Sequence, residues 1–369
     1  LDNELQYLYD ILKRATRPEE VFGILIGTVE EKLELCTKTF RHLVWVAHPD
    51  HATTEEDKKI ATEAFKLINP MYELAKNKIK NNTYGAASTG TTNDIIHITS
   101  KKNDYILGKL LYSGTIADLF ESESMADGNK KKVLLKVARN YKTNEFIKNE
   151  FTNLKEIYKN GNGLVALFPD CIDSFGIQDN TDKSIRQVNV FNYDTNLVNL
   201  TEVIKQYPDG IDSRDMAWIF KRTLAAIWLT HTKEIVHGAV IPPHILLNLT
   251  NHGIILLDWS FSAKMGSSHI KAIDSNYKEY YPKTVFDKKN PTPEIDIYMA
   301  AMTMIKLLGG DPATKTIPDK VPKDIRMILR ACILDPSGLD DAHEIHEEFK
   351  SVIGKLFGPP KFRDLVIKR

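Results

Sequence analysis

The chain has 369 residues, 42% of them hydrophobic, and its 49 basic side chains balance 49 acidic ones. This is enough length and apolar content for two or three packed units, and a net charge of zero gives no global field to draw the chain to nucleic acid or an anionic membrane. No nucleic-acid or membrane partner is therefore expected. Cys36, Cys171 and Cys332 are far apart and odd in number, which suits neither a disulfide framework nor a zinc site and predicts a reducing, cytoplasmic setting. Apolar runs such as Ile254 to Leu257 are far shorter than the roughly 20 residues that cross a bilayer, so a soluble chain is expected. The N-terminus lacks a signal-peptide pattern. The chain opens at Leu1 rather than at methionine, which leaves an upstream segment open.

Residues 1–82 read as a helical module. Leu5, Leu8 and Leu12 form one stripe, and Leu33, Cys36, Phe40, Leu43 and Ala47 form a second at spacings of three and four. Thr28 and Glu31 make a capping box before the second stripe. After the His48-Pro49-Asp50 break, Thr53 and Glu56 predict another box, followed by the stripe Ile60, Ala64, Leu67, Met71 and Leu74. Pro70 predicts a kink in that helix. Asn81 to Asn93 loses periodicity and is rich in Gly, Ser, Thr and Asn, so residues 83–100 are expected to form a flexible connector and a lead-in strand.

Residues 101–192 predict a small β-rich lobe. Val133 to Ala138 and Val188 to Phe191 are among its strands, Ile95 to Ile98 precedes it, and Thr143 to Lys159 is a helix. Residues 193–358 predict a larger helical lobe, in which Ile245 to Leu247 and Ile254 to Leu257 pair as a hairpin across NLTNHG. Residues 359–369 form a basic tail to which the sequence assigns no chemistry. The fold class is α+β.

Four features of these lobes carry chemistry, and their order is more specific than any one of them. The segment GKLLYSGTIADLF holds Gly108 and Gly114 in a strand-loop-strand pattern. Lys136 lies within the apolar strand VLLKVA, where its ammonium needs an anionic partner, and Glu150 in FIKNEFTNL is chosen for that part. The other reading of Lys136 is an edge-strand lysine with its head in water. The segment VHGAVIPPHILLN contains His237, Gly238, Ala239, Pro242 and His244, and LLDWS contains Asp258. Downstream, Asp296 lies in PTPEIDIYMAAMTMIKLLGG.

In this order the four features resemble the protein kinases, and residues from about 101 to 350 look like a pseudokinase-type member. The resemblance implies a bilobal kinase-like fold, with Gly108, Gly114, Lys136, Glu150 and Asp258 as nucleotide-binding residues. His237 keeps the frame of the His-Arg-Asp catalytic loop. Gly238 replaces its arginine, Ala239 the aspartate base and His244 the metal-binding asparagine, so no catalytic residue is assigned in this loop. A methyl group can neither orient nor deprotonate an acceptor hydroxyl, a contribution of roughly 10²- to 10⁴-fold. ATP and a divalent ion are the implied cofactors, the ion held by Asp258 and His244, with manganese better suited than magnesium to an imidazole ligand. Alternatively, a neighbouring backbone carbonyl satisfies the His244 ring. Lys283 and Leu339 stand where kinases carry a buried ion pair, and their joint replacement avoids a stranded charge. With Gly238 in place of arginine, no phosphorylation switch is expected between Ala263 and Tyr281.

The segment FRHLVWVAHPD, together with RPEEVFGIL before it and AFKLINPMYELAKNKIKNNTYG after it, resembles a J-domain over residues 17–85. This implies docking on a DnaK-type chaperone through His48, Pro49 and Asp50, with Lys38 and Arg41 as basic helix residues. The family's basic face is thinned here, with Val46 near where lysine is common. The alternative is a helical hairpin whose tripeptide is only a turn, with Asp50 capping the next helix. The leading functional expectation is a co-chaperone or adaptor that links such a chaperone to a client. A transferase with rearranged metal ligands and a nucleotide-free scaffold stand as the alternatives.

Overall fold

Leu5, Leu8 and Leu12 are buried along α1 (Asp2–Arg14) in the computed structural model. It describes the whole chain except residues 1, 16, 24, 26, 27, 53, 82, 86–95, 127, 128, 160–162, 180–183, 335–339, 368 and 369. A one-turn helix, α2 (Glu19–Phe22), buries Val21 and Phe22. Next comes α3 (Val29–Val46), which starts at the expected box: the Glu31 amide donates to Thr28 Oγ1 at 3.3 Å, and the Thr28 amide donates to the Glu31 carboxylate at 2.8 Å.

The next helix, α4 (Glu55–Lys80), corrects one expectation. Its cap is Thr54 rather than Thr53, which lies outside the described residues: Thr54 Oγ1 accepts from the Asp57 amide at 3.1 Å and donates to the Asp57 carboxylate at 2.6 Å. The short turn Pro49–His51 delays the helix by one residue, so the partner is Asp57 and not Glu56. The helix also runs unbroken through Pro70. A proline forfeits one backbone bond, but α1 and α3 both pack on α4. Ile68 and Ala75 are fully buried beside the proline, and Tyr72 stacks on Phe40 with ring centroids 4.0 Å apart.

A curled antiparallel sheet follows, built from β1 (Ile96–Thr99), β2 (Asp104–Leu107), β3 (Leu110–Ser113), β4 (Ala117–Ala126) and β5 (Asn129–Ala138). After these come α5 (Asn144–Tyr158), β6 (Cys171–Gln178) and β7 (Ile185–Asn192). The strand order is β1-β2-β4-β5-β7-β6, and β3 pairs with β4. Most of the connector expected between Asn81 and Asn93 falls outside the described residues. Its described part is held firmly: Tyr84 donates from its buried hydroxyl to the Gly23 carbonyl at 2.9 Å, and the Gly85 amide donates to Glu19 Oε1 at 3.0 Å. Phe22, Leu25, Cys36 and Tyr84 from the helical module share one apolar core with Tyr105, Phe120, Leu135 and Val190 from the sheet. Residues 1–151 and 170–193 accordingly form one compact unit, and residues 152–169 with 194–369 form a second.

The second unit contains β8 (Val198–Asn199), α6 (Leu200–Gln206), α7 (Ser213–His231), β9 (Ile235–Val236), β10 (Ile245–Asn248), β11 (Gly253–Leu256) and β12 (Ala263–Lys264). Its remaining helices are α8 (Lys283–Phe286), α9 (Pro293–Leu307), α10 (Lys323–Leu334) and α11 (Ala342–Phe357). The predicted hairpin is β10 with β11, in antiparallel register with Leu246 opposite Ile255, and β8 adds to its β10 edge. A separate two-strand ladder joins β9 and β12. The central helix α9 is buried almost all round, which explains why it is apolar on every face. The tail is docked: Arg363 donates to Asp215 Oδ1 at 2.8 Å, and the His252 ring is sandwiched between Trp218 and Phe362 at centroid distances of 4.4 and 4.0 Å. Helices, then a sheet, then helices make an α+β chain. Among the described residues, no helix is long and apolar enough to cross a membrane.

Candidate functional site

In the first unit, Lys136 lies on β5, between β4 and β7, where register sets it opposite Leu119 and Asn189. The lysine side chain is only 9% exposed, so its head is not in water. Its ammonium is 3.0 Å from Glu150 Oε1 on α5, and the other Glu150 oxygen accepts from Asn189 Nδ2 at 3.2 Å. The structure therefore brings together the lysine and glutamate paired from sequence, and adds Asn189. The sequence reading missed Asn189, whose place between Val188 and Val190, a polar residue inside an apolar strand, is the one local sign of it. Burying both charges is tolerable because each has a partner at hydrogen-bond distance.

The two glycines do different work. Gly108 lies between β2 and β3, its amide donates to Ser122 Oγ at 3.3 Å, and a β-carbon there would come within 2.2 Å of the Glu121 carbonyl. Close approach to the neighbouring strand thus requires it. Gly114 lies in the β3–β4 turn, where its amide donates to the Ala117 carbonyl at 2.9 Å. Both amides are engaged within the sheet.

In the second unit, the loop from His237 to His244 is assembled around Asp296, a fully buried carboxylate at the start of α9. It accepts from the His237 amide at 2.8 Å and the Gly238 amide at 2.7 Å, and lies 3.0 Å from His231 Nε2. Thr303 Oγ1 holds the Val240 carbonyl at 2.8 Å. The His237 ring is fixed by two contacts: Nδ1 accepts from the Ala239 amide at 3.1 Å, so Nε2 carries the proton and donates to the Leu257 carbonyl at 2.8 Å. Both contacts suit a neutral ring, and burial pushes its pKa down to about 4. Trp259 closes over it edge to face, with centroids 4.4 Å apart. Gly238 has a φ of +72°, and a β-carbon would lie 2.8 Å from Ile270 Cδ1, so no larger residue fits without strain.

Ala239 occupies the centre of this loop and is 4% exposed. Its carbonyl accepts from His244 Nδ1 at 2.8 Å, the backbone-satisfied arrangement weighed for that ring. His244 Nε2 then faces the Asp258 carboxylate at 3.5 Å. Asp258 adopts a left-handed backbone, with φ of +60°, an uncommon state for a non-glycine residue that clusters at functional sites. One imidazole nitrogen and one carboxylate thus converge. Among the described residues, no three metal-ligating side chains do so. Lys283 lies at the surface and pairs with Asp287 at 2.7 Å, while Leu339 lies outside the described residues.

In the helical module, His48, Pro49 and Asp50 sit in the turn between α3 and α4. Asp50 does not cap α4, since Thr54 does. Instead, the Asp50 amide donates to His48 Nδ1 at 3.3 Å, and the Asp50 carboxylate is 85% exposed. Lys38 and Arg41 are exposed on α3. Nothing local in the chain announces the buried pair beneath this module, Asp118 and Arg139, 3.6 Å apart where the module meets the sheet. Their inward placement depends on a contact distant in sequence. No family model matches the chain, and no curated protein matches it in sequence.

Proposed function

We propose that this chain is an adaptor: a J-domain-like module joined to a kinase-like, bilobal body that has lost phosphoryl transfer and keeps nucleotide binding. The carrying observation is the loop centred on Ala239. Asp296, Thr303 and the His237 ring hold its backbone closely, yet a methyl group stands where transfer needs a carboxylate. A frame kept without its base supports a binding role over a catalytic one.

Nucleotide retention is supported by the buried Lys136–Glu150 pair, a poised cation of the kind that meets phosphate oxygens. Asp258 and His244 supply one oxygen and one nitrogen to a divalent ion, a donor set that favours manganese over magnesium. Thermal melting with ATP and manganese is expected to show stabilisation. At a hundredfold excess over Kd this amounts to about 2.7 kcal/mol, and it should be lost in Lys136→Met. No shift at millimolar ATP with either ion would refute nucleotide binding.

The exposed Asp50 carboxylate, together with Lys38 and Arg41 on the preceding helix, supports docking on a DnaK-type chaperone that serves a client. Asp50→Asn is expected to abolish stimulation of that chaperone's ATPase. Equal stimulation by variant and wild type would reject the chaperone role. A second reading, an ATP-dependent transferase, draws on the His244–Asp258 pair. Transfer of label from γ- or α-labelled ATP, lost in Asp258→Asn, would favour it over the adaptor.

A further inference from the structure

The turn that joins β3 to β4 is short, and its geometry depends on residues at its base. Ser113 Oγ donates to Asp118 Oδ1 at 2.5 Å, across the mouth of the turn. The Gly114 amide reaches the Ala117 carbonyl at 2.9 Å, and the Arg139 amide at the end of β5 reaches the Ile116 carbonyl at 3.0 Å. Asp118 is 1% exposed and Arg139 is 4% exposed, with Arg139 Nε 3.6 Å from Asp118 Oδ1. Gly23 of the helical module lies against this charged pair, within the same compact unit.

The fit is close at that residue. Gly23 follows α2 with a φ of +73°, and a β-carbon there would stand 2.3 Å from Asp118 Oδ2 and 3.2 Å from Arg139 Nη2. No side chain fits between this backbone and the pair. The Gly23 carbonyl accepts the Tyr84 hydroxyl at 2.9 Å, and the Thr83 and Tyr84 amides both donate to the Lys78 carbonyl at the end of α4, at 2.8 and 3.1 Å. Glu19 ties the two ends of the module together, accepting from Lys78 Nζ at 3.0 Å and from the Gly85 amide at 3.0 Å. Burial holds the Tyr84 hydroxyl well above its usual pKa, so it stays a donor across the physiological range.

We propose that the helical module is a positioning clamp for the Ser113–Asp118 turn: Gly23, fixed by Tyr84, seats Asp118 and Arg139, and the conformation of the turn depends on that seat. A charged pair buried this deeply keeps its geometry only while its cover stays in place, because exposure to water gives both groups competing partners. The module therefore has a role inside its own chain as well as any role toward a partner. The consequence for a phosphate ligand at the turn rests on the nucleotide reading above; the clamp itself does not. By linkage, a partner that displaces the Gly23 corner weakens a ligand at the turn by the same factor as that ligand weakens the partner.

The test is hydrogen exchange followed by mass spectrometry on the full chain, with ATP titrations alongside. Tyr84→Phe removes one hydrogen bond and keeps the ring, so it should leave the fold intact while exchange at 113–118 quickens roughly threefold to tenfold. Peptides from β7 should stay at the wild-type rate. Gly23→Ala should quicken the same segment further. Unchanged exchange at 113–118 in folded Tyr84→Phe would overturn the clamp, as would equal quickening throughout the sheet. If wild type fails to bind ATP but the turn loosens selectively, the clamp stands and only the nucleotide reading falls.

Discussion

His237 sits at full burial with both ring nitrogens committed to backbone groups, and its pKa of about 4 lies below the ordinary value of 6.5. The unfolded chain therefore binds more protons between those two values. The stability contributed by the neutral ring is complete above pH 6.5 and declines as pH falls towards 4, by up to ~1.4 kcal/mol per pH unit. Urea denaturation at pH 7, 6 and 5 should reveal this slope, and His237→Gln should flatten it. Lys136 and Glu150 invite a different measurement. Lys136→Met leaves a carboxylate 2% exposed without its cation, and should cost roughly 3 to 5 kcal/mol. Adding Glu150→Gln should recover a large part of that loss, whereas two independent surface residues would give additive effects. At this scale the sequence was informative wherever a charge stood in an apolar strand or a missing residue broke a spaced motif. Lys136 and Ala239 were legible for that reason, and Glu150 followed as the partner that Lys136 needs. Asn189 as a second partner of Glu150 was not, because which side chains meet across β5 and β7 is decided by register.

Helix boundaries show what local chemistry can specify. Thr28 and Glu31 cap α3 as their spacing predicts, since both partners lie within one turn. At α4 the cap lies one residue later than Thr53 and Glu56 predict, because Thr54 also offers a hydroxyl and has Asp57 three residues on. Thr54→Ala should lower stability by about 1 kcal/mol, and Thr28→Ala by a similar amount. Thermal melts monitored at the helical circular dichroism band would measure both. Pro70 teaches the converse: its local cost is fixed by covalent structure, but packing on both flanks of α4 decides whether the helix breaks. The hairpin of β10 and β11 was readable from its two apolar runs and the polar turn between them. The order β1-β2-β4-β5-β7-β6 was not, since pairing partners lie far apart in the chain.

For the molecule as a whole, the loss of periodicity after Asn81 marked a change of composition without marking a change of core. Phe22 and Tyr84 on one side of it share apolar contacts with Tyr105 and Phe120 on the other. Phe22→Ala, at a fully buried site, should cost about 3 to 5 kcal/mol. It should lower exchange protection in α3 and in β4 together. Loss confined to the helices would mean that the module and sheet unfold independently.

The ring sandwich at the far end of the chain gives the protein an optical handle. Trp218 lies nearly parallel to His252, which in turn stacks on Phe362 of the tail at an angle of 12°. Lifting the tail would bare the outer face of His252 and remove the Arg363 carbonyl that holds its ring over the indole, so Trp218 emission should move to longer wavelength when a ligand or a neighbouring chain peels residues 359–367 away. Phe362→Ala would calibrate that colour change, and a fluorimeter could then follow tail release in real time without a label.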